Sequence, residues 1–220
     1  MPEVIFTGPA GRVEGRYTAG PELSSPVAVI LHPHPKHGGT MNNKVVYSLF
    51  QAFAKKGFSV LRFNFRGVGR SEGAYDNGEG ELADAASAMD WLQSTHPQVN
   101  SFWVAGFSFG AWIAMQLLMR RPELEGFVAL SPPTNMYDFN FLAPCPVSGQ
   151  VIHGEQDAVV PYQYTDTLVQ KLRSQKGIAI DYRVLKGADH FYSEHISEML
   201  ALVDNYVELR ITNILKKRIA

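Results

Sequence analysis

Apolar, strand-like runs alternate with helix-like segments along most of this 220-residue sequence, and no other feature limits its fold as strongly. The predicted strands are residues 27–33, 58–65, 102–107, 126–132, 148–154 and 178–185. The predicted helices are residues 44–56, 80–96, 109–121 and 161–174, and a long terminal helix from about Ser193. Ahead of them, VIFTG and RVEGRYTAG are typical of a hairpin. This alternation predicts the α/β class, with a mostly parallel sheet and helices on both faces.

Size, charge and cysteine content exclude several classes of protein. With 45% hydrophobic residues and no linker-like stretch, the chain is predicted to be a single domain over residues 1–220. The formal net charge of −1 gives no general attraction to nucleic acid or membranes, so neither is expected as a partner, while a homo-oligomer stays open. Cys145 is the one cysteine, and acidic Glu3 lies where a signal peptide would be positive. Both features favour a cytoplasmic location.

The pentapeptide GFSFG, residues 106–110, lies where a predicted strand turns directly into a predicted helix. That is the setting of a G-x-S-x-G nucleophile elbow, in which a strained turn lifts a serine hydroxyl clear of the sheet. Glycines on either side allow the strand and the helix to approach each other. The pattern predicts Ser108 as a nucleophile and the main-chain N–H of Phe109 as a donor to an oxyanion. The alternative is a glycine-flanked turn with a structural role alone.

A serine nucleophile needs a base, and the base needs a carboxylate to orient it. After a nucleophile elbow, the acid and the histidine follow in that order along the chain. Asp157 and His190 each lie just beyond a predicted strand, so they are predicted to meet Ser108 at the carboxyl edge of the sheet. Glu155 stays open as an alternative acid. Asp189 is adjacent to His190 in sequence, and a neighbouring side chain does not easily align with the imidazole.

The chain closely resembles the α/β-hydrolase family over essentially its whole length. The matching segments are HPHPKHGG, FNFRGVGRSEG, GFSFG, HGEQDAVVP and GADHFY. The HPHP loop followed by GGTMNNKVV is similar to small bacterial proteins predicted to be hydrolases and related to dienelactone hydrolases and serine esterases. The resemblance implies an α/β-hydrolase fold, and it maps the family's nucleophile, acid and base onto Ser108, Asp157 and His190.

The resemblance also implies a second oxyanion donor, which the family supplies from the loop after the strand that bears its His-Gly motif. Here that motif reads His32-Pro33, which departs from the glycine version. Neither Pro33 nor Pro35 has an amide hydrogen, so the main-chain N–H of His34 is the expected donor.

Three histidines within six positions, His32, His34 and His37, raise the alternative of a metal site. The spacing is similar to the H-x-H-x-D-H ligands of metallo-β-lactamase-like hydrolases. Lys36 stands where that pattern has an acid, and no second ligand cluster is evident, so we expect neither a metal nor another cofactor. His32 is expected to anchor the loop and His37 to lie at the rim near substrate. His153 is expected to pack against the sheet.

Together these residues predict a serine hydrolase that cleaves small carboxylic esters through an acyl-enzyme. Only about 17 residues, PTNMYDFNFLAPCPVSG, separate two predicted strands where the family carries its cap, so no large cap domain is expected. The open site should accept short acyl groups and contain the aromatic residues Phe109, Phe191 and Tyr192. A thioesterase, amidase or peptidase would use the same triad. A non-catalytic protein that binds a small ligand in the same cleft is a further alternative.

Overall fold

The computed structural model describes residues 2–219, which contain eight strands and five α-helices. The strands are β1 (Glu3–Gly8), β2 (Gly11–Thr18), β3 (Val27–Leu31), β4 (Ser59–Phe63), β5 (Phe102–Phe107), β6 (Leu124–Leu130), β7 (Gly149–Gly154) and β8 (Ile180–Leu185). The helices are α1 (Lys44–Lys55), α2 (Glu79–Thr95), α3 (Phe109–Leu118), α4 (Tyr162–Arg173) and α5 (Ile196–Ile219). None of these helices combines the length and the apolar character that crossing a bilayer requires.

All eight strands belong to one sheet, in the order β1-β2-β4-β3-β5-β6-β7-β8. β1 and β2 form the predicted hairpin, with Gly8 paired to Gly11, and β2 is also antiparallel to β4. The other neighbours are parallel to each other. The predicted mostly parallel sheet is therefore confirmed. Because parallel strands end at the same edge, the loops that follow β3, β5, β7 and β8 lie close together there.

Helices cover both faces of the sheet, as predicted, because successive residues of a strand point to opposite sides. In β3, Val27, Val29 and Leu31 belong to the core beneath α2, α3 and α4. Ala28 and Ile30 belong to the second core, beneath α1 and α5. Burial of each Val, Leu or Ile in these cores stabilises the fold by about 1.5–3 kcal/mol.

The last helix begins later than predicted, at Ile196 rather than near Ser193. The residues before it form a turn instead, because the carboxylate of Asp189 accepts hydrogen bonds from the main-chain N–H and the hydroxyl of Ser193, at 2.8 and 2.6 Å. This side-chain capping competes with helix formation and leaves residues 189–195 as a compact loop. That loop carries His190.

The connection between β6 and β7 contains only one short 3₁₀ helix, Asn140–Leu142. Phe139 and Leu142 are buried within the core beneath α2, α3 and α4. The connection therefore packs down onto the body of the protein, and no large cap forms there.

Candidate active site

Ser108 occupies the turn between β5 and α3, with a φ of 54° and a ψ of −120°. Its main-chain N–H donates to the carbonyl of Leu130 on β6 at 2.8 Å, which fixes this strained conformation. A Cβ on Gly106 would lie 2.2 Å from the carbonyl oxygen of Gly110, and a Cβ on Gly110 would lie 2.3 Å from that of Leu31. Glycine at both positions thus allows α3 to approach β5 and the end of β3 closely.

A line of hydrogen bonds runs from Ser108 through His190 to Asp157. The Oγ of Ser108 lies 3.1 Å from Nε2 of His190, and Nδ1 of His190 lies 2.7 Å from Oδ2 of Asp157. Oδ1 of Asp157 accepts the main-chain N–H groups of Val159 and Val160 at 2.9 and 2.7 Å. The fold therefore brings together the three residues that the sequence singled out.

The surroundings of Asp157 keep its carboxyl group ionised. Burial would raise its pKa, but hydrogen bonds from His153, His190 and the Val160 N–H outweigh burial and hold the pKa well below the usual range. An ionised Asp157 accepts Nδ1–H of His190 and leaves Nε2 free to accept the proton of Ser108.

The other carboxylates near this histidine are engaged elsewhere. Glu155, the alternative acid, is exposed and accepts the main-chain N–H of Gly187 at 3.0 Å. Asp189 is held by Ser193, as described above. Asp157 is therefore the acid that the geometry favours.

The two main-chain N–H groups predicted to bind an oxyanion lie on residues that line the same cleft as Ser108. Phe109 is the first residue of α3, so its N–H has no acceptor within the helix. The carbonyl of His34 accepts the N–H groups of His37 and Gly39 at 3.0 Å each, and its Nδ1 accepts the N–H of Lys36 at 3.1 Å. These bonds hold the loop in place through the carbonyl and the side chain of His34, and they do not use its main-chain N–H.

His32 anchors this loop from within the core. Its Nδ1 lies 2.6 Å from the carbonyl oxygen of Pro33, and its Nε2 accepts the main-chain N–H of Phe65 at 3.0 Å. Burial lowers the pKa of His32 to about 4, so the ring is neutral at physiological pH. With both nitrogens used, His32 has none left for a metal. Within residues 2–219, no three His, Cys, Asp or Glu side chains are grouped as ligands of one ion would be.

A cleft of about 440 Å³ opens in front of Ser108. It is lined by Pro33, His34, His37, Gly38, Gly39, Asn43, Ser108, Phe109, Pro133, Met136, Tyr137, Val159, His190 and Phe191. His37 and Phe191 lie where the sequence analysis placed them. Met136 and Phe191 are more than half exposed, so the mouth of the cleft is apolar. None of these lining residues is acidic.

Tyr192 does not reach the cleft, and the expectation that it contacts substrate was wrong. Its side chain is fully buried, and its hydroxyl donates to the carbonyl of Ile152 at 2.9 Å. The residue has a φ of 53°, which turns the side chain inward beneath the loop instead of outward beside Phe191.

His153 contacts Asp157 directly, which the sequence analysis did not identify. It is fully buried on β7, as expected, and its Nε2 lies 3.1 Å from Oδ2 of Asp157. The signal in the sequence was that Asp157 follows His153 by four residues at the end of a strand. A tight turn there can bring the later residue back against the earlier one.

The sequence profile of the X-Pro dipeptidyl-peptidase (S15) family matches residues 19–206. This chain belongs to that family. An uncharacterized protein of Rickettsia prowazekii is 49% identical to this S15-family member over 211 residues, or 94% of this chain and 89% of the relative.

Solved structures identify the fold. A protein of unknown function from Agrobacterium tumefaciens, described as an α/β hydrolase, is 58% identical with a TM-score of 0.94 over 96% of this chain and 97% of its own. An α/β serine hydrolase without a lid, from Xanthomonas campestris, is 27% identical with a TM-score of 0.85 over 94% and 93%. This S15-family member thus has the α/β-hydrolase fold without a lid, and it is a hydrolase of the serine type.

Proposed function

We propose that this protein cleaves small carboxylic esters, with Ser108 as nucleophile, His190 as general base and Asp157 as the acid that orients it. The observation that carries the proposal is the continuous contact from Ser108 Oγ to His190 Nε2 at 3.1 Å and from His190 Nδ1 to Asp157 Oδ2 at 2.7 Å. A pure binding protein would have no use for such an arrangement, which makes a serine hydroxyl nucleophilic at neutral pH.

In the first half of the reaction, Oγ of Ser108 attacks the ester carbonyl while Nε2 of His190 takes its proton. The negative charge that develops on the carbonyl oxygen is stabilised by the main-chain N–H groups of Phe109 and His34. The tetrahedral intermediate then collapses, and His190 returns the proton to the departing alcohol. The acyl group stays on Ser108.

In the second half, His190 takes a proton from water, and the resulting hydroxide attacks the acyl carbonyl. The same two N–H groups stabilise the second oxyanion, and the proton passes from His190 to Oγ as the carboxylic acid leaves. Asp157 remains ionised throughout and stabilises the positive charge on His190.

The shape of the cleft supports short or small acyl groups as the preferred substrates. Its volume of about 440 Å³ is modest, and the connection between β6 and β7 adds no cap that would extend it. The exposed side chains of Met136 and Phe191 offer an apolar surface at the mouth rather than a deep tunnel. Each methylene that finds no apolar wall forfeits about 0.8 kcal/mol of binding, so long chains gain little.

A peptidase is the second candidate, because the matching family is named for X-Pro dipeptidyl-peptidases. Release of dipeptides requires recognition of a free amino terminus, a cation that proteins bind with carboxylates. Among the described residues that line the cleft, none is Asp or Glu. This absence of an acidic partner in the lining favours an ester over a dipeptide substrate.

The proposal is tested with a panel of p-nitrophenyl esters of increasing acyl length, matched thioesters and amides, and an X-Pro dipeptide amide. We expect turnover of the short esters to exceed that of the amides. Ser108→Ala should abolish turnover, by about 10⁶-fold, together with covalent labelling by a fluorophosphonate. Ser94→Ala, an exposed serine on α2, is the matched control and should behave as wild type.

Labelling that persists in folded Ser108→Ala would assign the nucleophile elsewhere. A clear preference for acyl chains beyond about ten carbons would contradict the shallow site, since each buried methylene is worth about 0.8 kcal/mol. Efficient cleavage of the X-Pro amide would favour the peptidase.

A further inference from the structure

His153 is a fully buried histidine that touches Asp157 yet takes no part in the reaction above. Its Nε2 lies 3.1 Å from Oδ2 of Asp157 and 2.7 Å from the carbonyl oxygen of Val160. Its Nδ1 lies 3.1 Å from Oγ1 of Thr165, which lies 2.9 Å from Oγ1 of Thr134. A chain of hydrogen bonds therefore leads from the β6–β7 connection, through α4, to the carboxylate.

The partners of His153 determine where its proton resides. Both neighbours of Nε2, a carbonyl and an ionised carboxylate, only accept hydrogen bonds, so Nε2 carries a hydrogen. The hydroxyl of Thr165 then donates to Nδ1 and accepts from Thr134. This order satisfies every polar atom of a ring that has no access to water.

The carboxylate of Asp157 is thus held on both oxygens. Oδ1 accepts the main-chain N–H groups of Val159 and Val160. Oδ2 accepts Nδ1–H of His190 and lies 3.1 Å from Nε2 of His153, whose single N–H is shared with the carbonyl oxygen of Val160. Without His153, Oδ2 would keep a single donor in a site where the side chain is completely buried. A buried carboxylate with fewer donors is less stable in its ionised form.

We propose that His153 is a positioning residue, whose Nε2–H holds the carboxylate of Asp157 ionised and aimed at Nδ1 of His190. The inference rests on the proposed function, because it assigns His153 to the acid of that triad. It adds a second histidine that acts on the reaction only through Asp157.

The proposal has a consequence for pH dependence. The titratable groups that face Asp157 are His153 on β7, and His190 and Tyr192 on the connection between β8 and α5; burial raises the pKa of Tyr192, so its phenol stays neutral. Across from them, α4 contributes only the hydroxyl of Thr165 to this network. Loss of the His153 donor should leave more of the Asp157 negative charge to stabilise the protonated, inactive form of the base His190. The acidic limb of kcat/KM should then move to higher pH.

Three variants separate positioning from packing. His153→Gln keeps an N–H donor at the position of Nε2, and His153→Leu removes the donor at similar volume. Thr165→Val removes the hydroxyl that bonds both Nδ1 and Thr134. For each, kcat and KM for a short ester are measured from about pH 5 to 9. The low-field ¹H NMR spectrum of the free protein reports the proton between His190 and Asp157 without any substrate. His96→Gln, which replaces a histidine bonded to Tyr17 ahead of β5, is the control.

We expect His153→Leu to lower kcat about tenfold with KM nearly unchanged, because a hydrogen bond to a charged group is lost. Its acidic limb should move to higher pH and the low-field resonance should shift, while His153→Gln resembles wild type. Thr165→Val should lower kcat and move the acidic limb in the same direction, but by less. If His153→Leu does not fold, the comparison of Thr165→Val with His153→Gln tests the proposal instead. Equal losses in the Gln and Leu variants without movement of the limb would reduce His153 to a packing role, and an unchanged Leu variant would overturn the proposal. If wild type cleaves no ester, the proposed function fails, and an unchanged low-field resonance in His153→Leu would separately reject this inference.

Discussion

Ser131 donates a hydrogen bond of 2.9 Å to the hydroxyl of Tyr192, and both residues hold positive φ angles, 44° and 53°. Such angles are unusual for residues with side chains and persist only where contacts enforce them. The Tyr192 hydroxyl also donates to Ile152 on β7, and the Ser131 hydroxyl lies 3.4 Å from the carbonyl oxygen of His190. The pair therefore joins the ends of β6 and β7 to the loop that carries the proposed base.

We expect Tyr192→Phe to lose about 1 kcal/mol of unfolding free energy, because the Ser131 hydroxyl loses its 2.9 Å partner and the Ile152 carbonyl keeps only the main-chain N–H of Ser131. The loop should then hold His190 less firmly, and kcat should fall several-fold. Urea unfolding and steady-state kinetics measure the two effects. Tyr17→Phe is the matched control, since its hydroxyl bonds His96 far from the cleft; it should leave kcat unchanged. Equal kcat in Tyr192→Phe and wild type would remove Tyr192 from the positioning of His190.

Replacement of each candidate acid by its amide should affect kcat very differently. Asp157→Asn should lower kcat by about 10⁴-fold, because an amide cannot hold the required tautomer of His190. Glu155→Gln should retain most activity, since Glu155 bonds Gly187 at the surface. Kinetics of both variants on one ester provide the measurement. A larger loss of kcat in Glu155→Gln than in Asp157→Asn would show that Glu155 is the acid that orients His190.

The backbone of His34 allows its N–H to be removed with little distortion. Its φ of −52° and ψ of 122° suit a proline that is followed by Pro35. His34→Pro should lower kcat by about 10²–10³-fold through loss of an oxyanion donor, while His34→Ala retains a substantial part of the activity. Loss of all activity in the His34→Ala variant would instead support a metal site, if a chelator also inactivates the wild type and zinc restores its activity.

His32 should make the fold sensitive to acid. Its pKa is about 4 when folded and near 6.5 in an unfolded chain, so the unfolded state binds a proton in this window and the folded state does not. The contribution is fully present above about pH 6.5 and is lost as pH falls towards 4, by about 3 kcal/mol in total. The free energy of unfolding, measured with urea, should therefore fall more steeply between pH 7 and pH 4 for wild type than for His32→Gln. Parallel curves would show that His32 is not the group responsible.

Much of the fold and part of the candidate site could be predicted because they depend on local patterns. Burial on both faces of a parallel strand requires continuous apolar runs, and these were visible in β3, β5 and β7. The turn at Ser108 was recognisable from Gly106 and Gly110, because a side chain at either position would clash with neighbouring main-chain atoms. Order along the chain then brought Asp157 and His190 to the same edge.

What could not be predicted depends on side-chain direction within loops. Tyr192 was expected beside Phe191 in the cleft, yet a positive φ at a tyrosine has no local sequence signal, because it is imposed by Ser131 and the end of β7. The contact of His153 with Asp157 depends in the same way on how tightly the chain turns after β7. The start of α5 was predicted too early because Asp189 and Ser193 form a turn that helix propensity does not register.

Because the short connection between β6 and β7 forms no large cap over the cleft, we expect water to reach the acyl group on Ser108 throughout the proposed cycle. Water is then always the most abundant acceptor, and an alcohol or amine would have to be bound nearby to compete with it. We therefore expect the proposed acyl intermediate to be hydrolysed rather than transferred. The proposed turnover also requires no cap to open, so we expect substrates dispersed in water and substrates held in an aggregate to meet the same partly exposed serine.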